Sequence, residues 1–265
     1  MPFASYAVDI GKYHVGARGQ IRRSDTTTAW ARSDEGTPSF NDIKYYSGSE
    51  GSCDEGTFAK STQRWSCGRS ISLLVDRIAA DIDAGCSVSL GLEAPMWFPI
   101  GLEQCANLKL FRPRCEEERG SEWYVQSGAA ATVKAISIAA MLVNLLTSKQ
   151  PGVRFTTDPS SGADGTITLY EAFVVGKFKM SVPAGATQAK NEWDAFTASL
   201  AWGAVNLAFN IPPSVYAKEL HKAGSSPSEI ASVWQIVASL VPSRPQVDGP
   251  LDCQIVGLTV EKPSS

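Results

Sequence analysis

Histidine is scarce in this sequence, with only His14 and His221 in 265 residues. A zinc site rich in histidine is therefore not expected. No two cysteines have the CxxC spacing that is typical of metal sites and redox motifs. The cysteines are also too few for a disulfide scaffold in a chain of this length, so we expect reduced thiols. They are Cys53, Cys67, Cys86, Cys105, Cys115 and Cys253.

Positive charge is also limited. The formal net charge is -3 at pH 7, and the isoelectric point is about 5.5. This balance provides no general basic field for nucleic acid or for an anionic membrane, so any polyanion site has to be local. The segment from Met1 to Tyr6 has neither a charged n-region nor an apolar h-region. We therefore predict no secretory signal and a cytoplasmic location.

No uninterrupted apolar stretch reaches membrane-spanning length. The nearest candidate, residues 129–146, contains Lys134, Ser137 and Asn144 and lacks interfacial anchors. We predict that this stretch is a buried amphipathic helix rather than a membrane span, and we expect no membrane partner.

Familiar nucleotide-binding and acyl-transfer motifs are missing as well. Residues 11–19 are rich in glycine but lack a GK[ST] ending and a following helix, which excludes a P-loop and a dinucleotide fingerprint. No GxSxG elbow occurs. The Asp-x-Gly segment from Asp9 to Gly11 also suits the actin-like phosphotransferases. The chain is short for their two duplicated domains, and no second glycine-rich phosphate turn is visible, so a nucleotide-binding phosphotransferase is kept as an alternative.

A short apolar segment, residues 87–95, organises the rest of the chain. Its apolar residues alternate with small ones, which is typical of a central strand that is covered on both faces. Pro95 cannot donate a ladder hydrogen bond, so we expect the strand to end before it. Glu93 then lies at the carboxyl end of the strand, where open α/β sheets bind their ligands.

The remaining hydrophobic pattern predicts an α/β fold in a single domain, residues 1–265. The predicted strands are 6–11, 15–21, 26–32, 87–92, 153–156, 166–174 and 255–260. The predicted helices are 71–82, 129–146 and 188–209, with two more in the C-terminal part, the second of which is opened by Ser226. Residues 34–68 are interpreted as a long acidic surface insertion, and residues 212–265 as a C-terminal helical extension.

Three acids fall where predicted elements end or meet, each among apolar neighbours: Asp9, Glu93 and Asp194. Burying a carboxylate is costly unless it is hydrogen-bonded or neutralised, and three converging carboxylates repel one another. Divalent ions relieve that repulsion, and oxygen ligands select Mg²⁺ or Mn²⁺. A helix cap or a lone salt bridge would explain any one of these acids taken singly. Glu171, within an apolar strand, is a fourth candidate that suits cross-strand pairing equally well, whereas Glu192 is expected to be solvated.

Short segments that follow one another in a fixed order resemble a known family. They are Val8-Asp9-Ile10-Gly11, Leu92-Glu93-Ala94-Pro95, Arg112-Pro113-Arg114-Cys115-Glu116, Tyr170-Glu171-Ala172-Phe173 and Trp193-Asp194-Ala195. Over about residues 6–204 they are similar to the uncharacterised predicted-nuclease family of the ribonuclease H-like superfamily. The resemblance implies a ribonuclease H-like mixed five-stranded sheet flanked by helices, with an acidic metal site.

The resemblance also implies which acids form that site. They correspond to Asp9 in the first strand, Glu93 in the fourth strand and Asp194 in the helix, with Glu171 as an additional candidate. The family more often has aspartate at the position of Glu93. The implied activity is hydrolysis of phosphodiester bonds with Mg²⁺ or Mn²⁺, and nucleic acid is the expected partner. An alternative from another class is a catalytically silent ribonuclease H-like binding or scaffold module, which the net acidity favours.

Overall fold

The computed structural model describes residues 2–11, 28–34, 44–47, 55–60, 63–99, 127–158, 165–174, 190–207, 215–220, 230–249 and 254–260. The helices are α1 (Ile71–Asp83), α2 (Ser127–Lys149), α3 (Lys190–Leu207) and α4 (Val233–Leu240). The strands are β1 (Phe3–Asp9), β2 (Ala29–Asp34), β3 (Lys44–Ser47), β4 (Glu55–Lys60), β5 (Gln63–Gly68), β6 (Ser87–Leu92), β7 (Trp97–Pro99), β8 (Arg154–Thr156), β9 (Thr166–Val174), β10 (Val215–Leu220), β11 (Ile230–Ser232), β12 (Val247–Asp248) and β13 (Gln254–Val260).

One mixed sheet runs through these residues in the strand order β10-β13-β9-β6-β1-β2-β5-β4-β3, while β8 pairs with β9 and β12 pairs with β8. β6 runs parallel to both β1 and β9, and β13 runs parallel to β9. In contrast, β2 is antiparallel to both β1 and β5. The predicted α/β fold with a mixed sheet flanked by helices is confirmed. The expected number of five strands is wrong, because further strands extend the sheet on both sides.

One face of the central strands carries the apolar core. Val8 of β1 and Leu92 of β6 are in register and fully buried there, together with side chains of α1 and α2. α1 begins after Ser70, whose Oγ accepts a hydrogen bond at 3.3 Å from the amide three residues later. It ends before Gly85, whose φ of +75° is the left-handed conformation common after a helix. The helix predicted over 71–82 is thus present.

α2 corresponds to the helix predicted over 129–146, and it packs against α1 and α4. By length and composition it is the one described helix that is apolar enough to cross a membrane. Core helices pass the same test, so this observation alone is weak. Its buried side chains recur at helical spacing and belong to the apolar core: Ala135, Ile138, Ala139, Leu142, Val143 and Leu146.

The opposite face of the central strands is covered by α3, which packs on β1, β2 and β9. The ring of Tyr170 on β9 stacks on Trp202 of α3, with ring centroids 4.2 Å apart and planes 7° from parallel. Gly91 is in register with Tyr170, and the ring lies in the space that a Cβ at Gly91 would occupy. The Tyr170 hydroxyl donates to the backbone oxygen of Tyr6 at 2.9 Å. A residue without a side chain therefore allows this ring to lie between the sheet and α3.

A polar network around Asp81 ties α1 to the sheet. Arg32 of β2 donates to both carboxylate oxygens of Asp81, from Nε at 2.7 Å and from Nη2 at 3.0 Å. The hydroxyl of Tyr6 donates to the same carboxylate. Burial alone lowers the pKa of Arg32, but the hydrogen bonds and negative charge of Asp81 outweigh that effect and raise it. The guanidinium therefore stays charged, and two strands are joined to one helix.

The structure differs from two segment predictions. Residues 34–68, expected to form a surface insertion, contain β3, β4 and β5, which continue the sheet beyond β2. Residues 212–265, expected to hold two helices and a late strand, contain α4 and β13, but they also contain the unexpected strand β10, which pairs with β13. Strands are stabilised by partners distant in sequence, so local composition is a weak guide to them. The late strand predicted over 255–260 is present as β13, whereas the predicted strand 15–21 lies outside the described residues.

Candidate functional site

Asp9 and Glu93 are neighbours at the ends of two adjacent parallel strands. Val8 and Leu92 are in register, and the amide of Glu93 donates to the backbone oxygen of Val8 at 2.8 Å, so Glu93 still belongs to the ladder. The amide of Ala94 donates back to the oxygen of Leu92 at 2.8 Å, which marks a tight turn directly after the strand. We call the edge at which β1, β6 and β9 end the carboxyl edge. Glu93 lies at this edge, as expected.

Asp9 leaves the sheet on the face that α3 covers. Ala7 is in register with Gly91, and Gly91 is in register with Tyr170, whose ring stacks on α3. Side chains alternate between the two faces along a strand, so Asp9, two residues after Ala7, lies on that same face. Its side chain is largely withdrawn from solvent, and the residue is only 8% exposed.

Asp194 lies near the start of α3 and is 3% exposed. The start of this helix is attached to the sheet by Arg69, which directly follows β5 and donates from Nε to Oε1 of Glu192 at 2.8 Å. Gly68, the last residue of β5, pairs with Trp30 of β2. Ala29, the residue before Trp30, pairs with Asp9. The start of α3 therefore lies over the carboxyl edge. The structure places Asp9 and Glu93 at neighbouring strand ends, and Asp194 lies on the helix whose start Arg69 attaches near the same edge.

Glu171 lies on the other face of the sheet. It is fully buried on β9, where it alternates in phase with Ile167 and Leu169 of the apolar core. Its Oε2 accepts a hydrogen bond from the amide of Met96 at 2.9 Å. A buried carboxylate that accepts a backbone hydrogen bond is stabilised where it lies. Glu171 therefore supports the turn after β6 from beneath the sheet and does not join the other three acids.

The side chains of Asp9, Glu93 and Asp194 offer carboxylate oxygens, which are ligands that suit a hard divalent ion. Within the described ranges, however, no group of three or more His, Cys, Asp or Glu side chains is arranged to hold a metal ion. Asp9 and Glu93 lie at neighbouring strand ends, and the described residues do not bring Asp194 onto one ion with them.

The sequence-based expectation for Glu192 is wrong. Glu192 is 3% exposed and paired with Arg69 rather than solvated. The physical reason is that α3 is buried on every side over residues 192–200, which a helical period does not reveal. Arg69 was not singled out from the sequence at all. Its only signal is its position between a strand and the helix cap Ser70.

Comparisons with known proteins do not assign this site to a family. Neither a family model nor a curated protein nor a solved structure matches the chain. The site is therefore interpreted from its own geometry. Residues 112–116, which contribute to the resemblance described above, lie outside the described residues.

Proposed function

We propose that this protein is a metal-dependent nuclease that hydrolyses phosphodiester bonds at the carboxyl edge. The observation that carries the proposal is the position of Asp9 and Glu93 on neighbouring parallel strands, beneath the start of the helix that contains Asp194. These three residues would hold Mg²⁺ or Mn²⁺. When bound, such ions activate water and stabilise the charge on the leaving oxygen.

The chain prepares the site in three ways. Ladder hydrogen bonds fix the backbone of Asp9 and Glu93, so little ordering is left to be done when a substrate binds. α3 shields Asp9 from bulk water, and charges interact more strongly in such surroundings. Glu171 holds the amide of Met96 and thereby stabilises the turn that contains Glu93.

The strand order supports the ribonuclease H-like part of the proposal. β5, β2 and β1 are successive antiparallel neighbours, and β6 and β9 continue the sheet parallel to β1. α1 packs on β6 on one face, and α3 packs on β1 and β2 on the other. This arrangement supports a ribonuclease H-like centre within a sheet that further strands extend on both sides.

Cleavage of short DNA and RNA oligonucleotides tests the proposal. We expect cleavage with Mg²⁺ or Mn²⁺ and none with EDTA. Asp9→Asn should lower the rate by at least about 100-fold, because even residues behind the metal ligands cost about 10- to 100-fold. Asp76→Asn is the matched control, since Asp76 is an exposed acid on α1. Cleavage that Asp9→Asn leaves unchanged would contradict the assignment of the site.

A second candidate is a catalytically silent module that binds nucleic acid. It is favoured by one observation, the lack of an assembled metal-binding group among the described residues. Oligonucleotide binding without cleavage, with either metal ion and with single- or double-stranded substrates, would support this second candidate against the first.

A further inference from the structure

The turn after β6 is held in place by three elements that are distant from it in the sequence. Oγ1 of Thr132 on α2 donates to the backbone oxygen of Pro95 at 2.9 Å. The amide of Met96 donates to Oε2 of Glu171 on β9 at 2.9 Å. The backbone oxygen of Met96 accepts from the first amide of α4 at 2.8 Å. Two helices and a strand therefore meet at the residues that follow Glu93.

The bond made by Thr132 differs from the one that threonine usually makes within a helix. A helical threonine donates to the backbone oxygen four residues earlier, as Thr147 of α2 does to Val143 at 2.7 Å. The hydroxyl of Thr132 lies 3.0 Å from that oxygen, on Gly128, and 2.9 Å from the oxygen of Pro95. The helical ladder already gives Gly128 a donor. The single hydroxyl proton therefore contributes more as a bond to Pro95.

This bond is buried. Thr132 is 5% exposed, and both Ala94 and Pro95 are buried. A buried backbone oxygen that loses its donor is costly, because water does not replace the donor there. The hydroxyl of Thr132 therefore holds the turn in its position.

The backbone of Glu93 is thereby fixed from both sides. Its amide donates to the oxygen of Val8 at 2.8 Å, and the amide of Ala94 donates back to Leu92 at 2.8 Å. Thr132 then holds the oxygen two residues after Glu93. The backbone from which the Glu93 side chain starts cannot rotate without breaking one of these bonds. Loss of a group that orients a metal ligand typically lowers metal affinity by about 10- to 100-fold.

We propose that Thr132 is a positioning residue of the carboxyl edge: by holding the oxygen of Pro95, it sets the direction in which Glu93 presents its carboxylate to a divalent ion. The inference rests on the proposed function, because an ion at Asp9 and Glu93 is part of that function. Thr132 acts through the backbone of the turn and is not itself a ligand of the ion.

Titration with Mn²⁺ alone, followed by the electron paramagnetic resonance signal of the free ion, tests this role. Only the binding that Asp9→Asn removes is assigned to the carboxyl edge. Thr132→Val keeps the shape of the side chain and removes the donor, so the dissociation constant for Mn²⁺ should rise by about 10-fold. Thr132→Ser keeps the hydroxyl and should retain most of the affinity.

Thr147→Val is the matched control, because it is the same substitution on the same helix. The hydroxyl of Thr147 bonds within α2, so its loss should leave the affinity for Mn²⁺ unchanged. Urea unfolding of both variants separates stability from positioning. A purely structural role of Thr132 would lower the unfolding midpoint without changing the affinity of the folded protein. If Thr132→Val does not fold, Thr132→Cys replaces it, since a thiol is only a weak donor, and weaker Mn²⁺ binding is again expected.

The outcomes separate the two proposals. If Thr132→Val, or Thr132→Cys in its place, binds Mn²⁺ as Thr147→Val does, the role of Thr132 is overturned, whether or not the protein cleaves nucleic acid. If loss of the hydroxyl weakens Mn²⁺ binding and the wild type cleaves no oligonucleotide, the role of Thr132 stands and the nuclease proposal fails. If the wild type binds no Mn²⁺ that depends on Asp9, both proposals are overturned.

Discussion

Asp81 accepts hydrogen bonds from two strands at once, and no sequence pattern marked it. On a helical wheel it is one more acid of α1, like Asp76 or Asp83. Its partners Tyr6 and Arg32 lie 75 and 49 residues away in the chain. Only the pairing of β1 with β2 places those two side chains opposite each other. The apolar face of α1 could therefore be predicted from its spacing, whereas its polar anchor could not.

Asp81→Asn should destabilise the protein by roughly 2 to 4 kcal/mol. Removing one partner of a buried pair costs about 3 to 5 kcal/mol, and the partial exposure of both side chains reduces that cost. Asp76→Asn on the same helix is the control. Asp76 is 51% exposed in its pair with Lys149, and its loss should cost less than about 0.5 kcal/mol. The free energy of unfolding from urea titration decides, and equal effects of the two changes would refute the role of Asp81.

In the candidate site, too, the sequence predicts residues that have a local signal and does not predict contacts between residues that are distant in the chain. Asp9 and Glu93 could be singled out because each ends an apolar strand, a local signal. Glu171 also stands in an apolar strand, but its face depends on the register between β6 and β9. Arg69 and Glu192 find each other across 123 residues. Acids at strand ends were thus accessible from the sequence, and their partners were not.

At the scale of elements, the contact between β6, β9 and α3 depends on Gly91. The sequence predicts β6 as a covered strand with small residues between its apolar ones. It does not show that one small residue makes room for a ring from the neighbouring strand. Tyr170 uses that space to stack on Trp202. Three elements therefore pack closely because one of them has no side chain at this position.

Gly91→Ala should cost about 1 to 3 kcal/mol, as overpacking of a filled core usually does. The added methyl group has to displace the Tyr170 ring, because the ring is buried and stacked. Urea unfolding measures the loss, and near-ultraviolet circular dichroism reports the altered aromatic stack. In a Tyr170→Leu background the same substitution should cost less, since the ring is gone. Strictly additive effects of the two changes would contradict this account.

At the scale of the whole molecule, two tyrosines link folding to alkaline pH. Burial raises the pKa of Tyr6, and the negative charge of Asp81 raises it further. Burial also raises the pKa of Tyr170. They lie on opposite faces of the central sheet, so both become accessible only when the fold opens. The folded state retains the neutral phenols, whereas the unfolded chain ionises near pH 10.

The contribution of these two phenols to stability should therefore be constant up to about pH 10 and fall above it. Each of the two phenols contributes up to about 1.4 kcal/mol per pH unit beyond that point. The ultraviolet absorbance of phenolate should show fewer than the seven tyrosines of the chain ionising while it remains folded. In Tyr6→Phe the fall should be shallower by one phenol. Ionisation of all seven tyrosines near pH 10 without unfolding would disprove this prediction.

The fold as a whole was predictable in its centre and not at its sides. The central strands and the helices α1 and α2 have apolar residues at periodic positions, because these residues are buried in one core. β3, β4 and β10 lie toward the ends of the strand order, and their sequences resemble polar loops or helices. Such strands are held by ladder hydrogen bonds to a neighbour, and these bonds leave no hydrophobic period in the sequence.

The central position of β1 has a consequence for how the chain folds during synthesis. β1 is flanked by β2 and β6, and Phe3 pairs with Ser87, so one partner follows 84 residues later. At typical rates of translation this delay is roughly 4 to 17 s. For that time the edge of β1 that later pairs with β6 has no partner, and its backbone N–H and C=O groups can pair with another strand instead. A strand that lies in the middle of the finished sheet is thus an unpaired edge strand while the protein is being made.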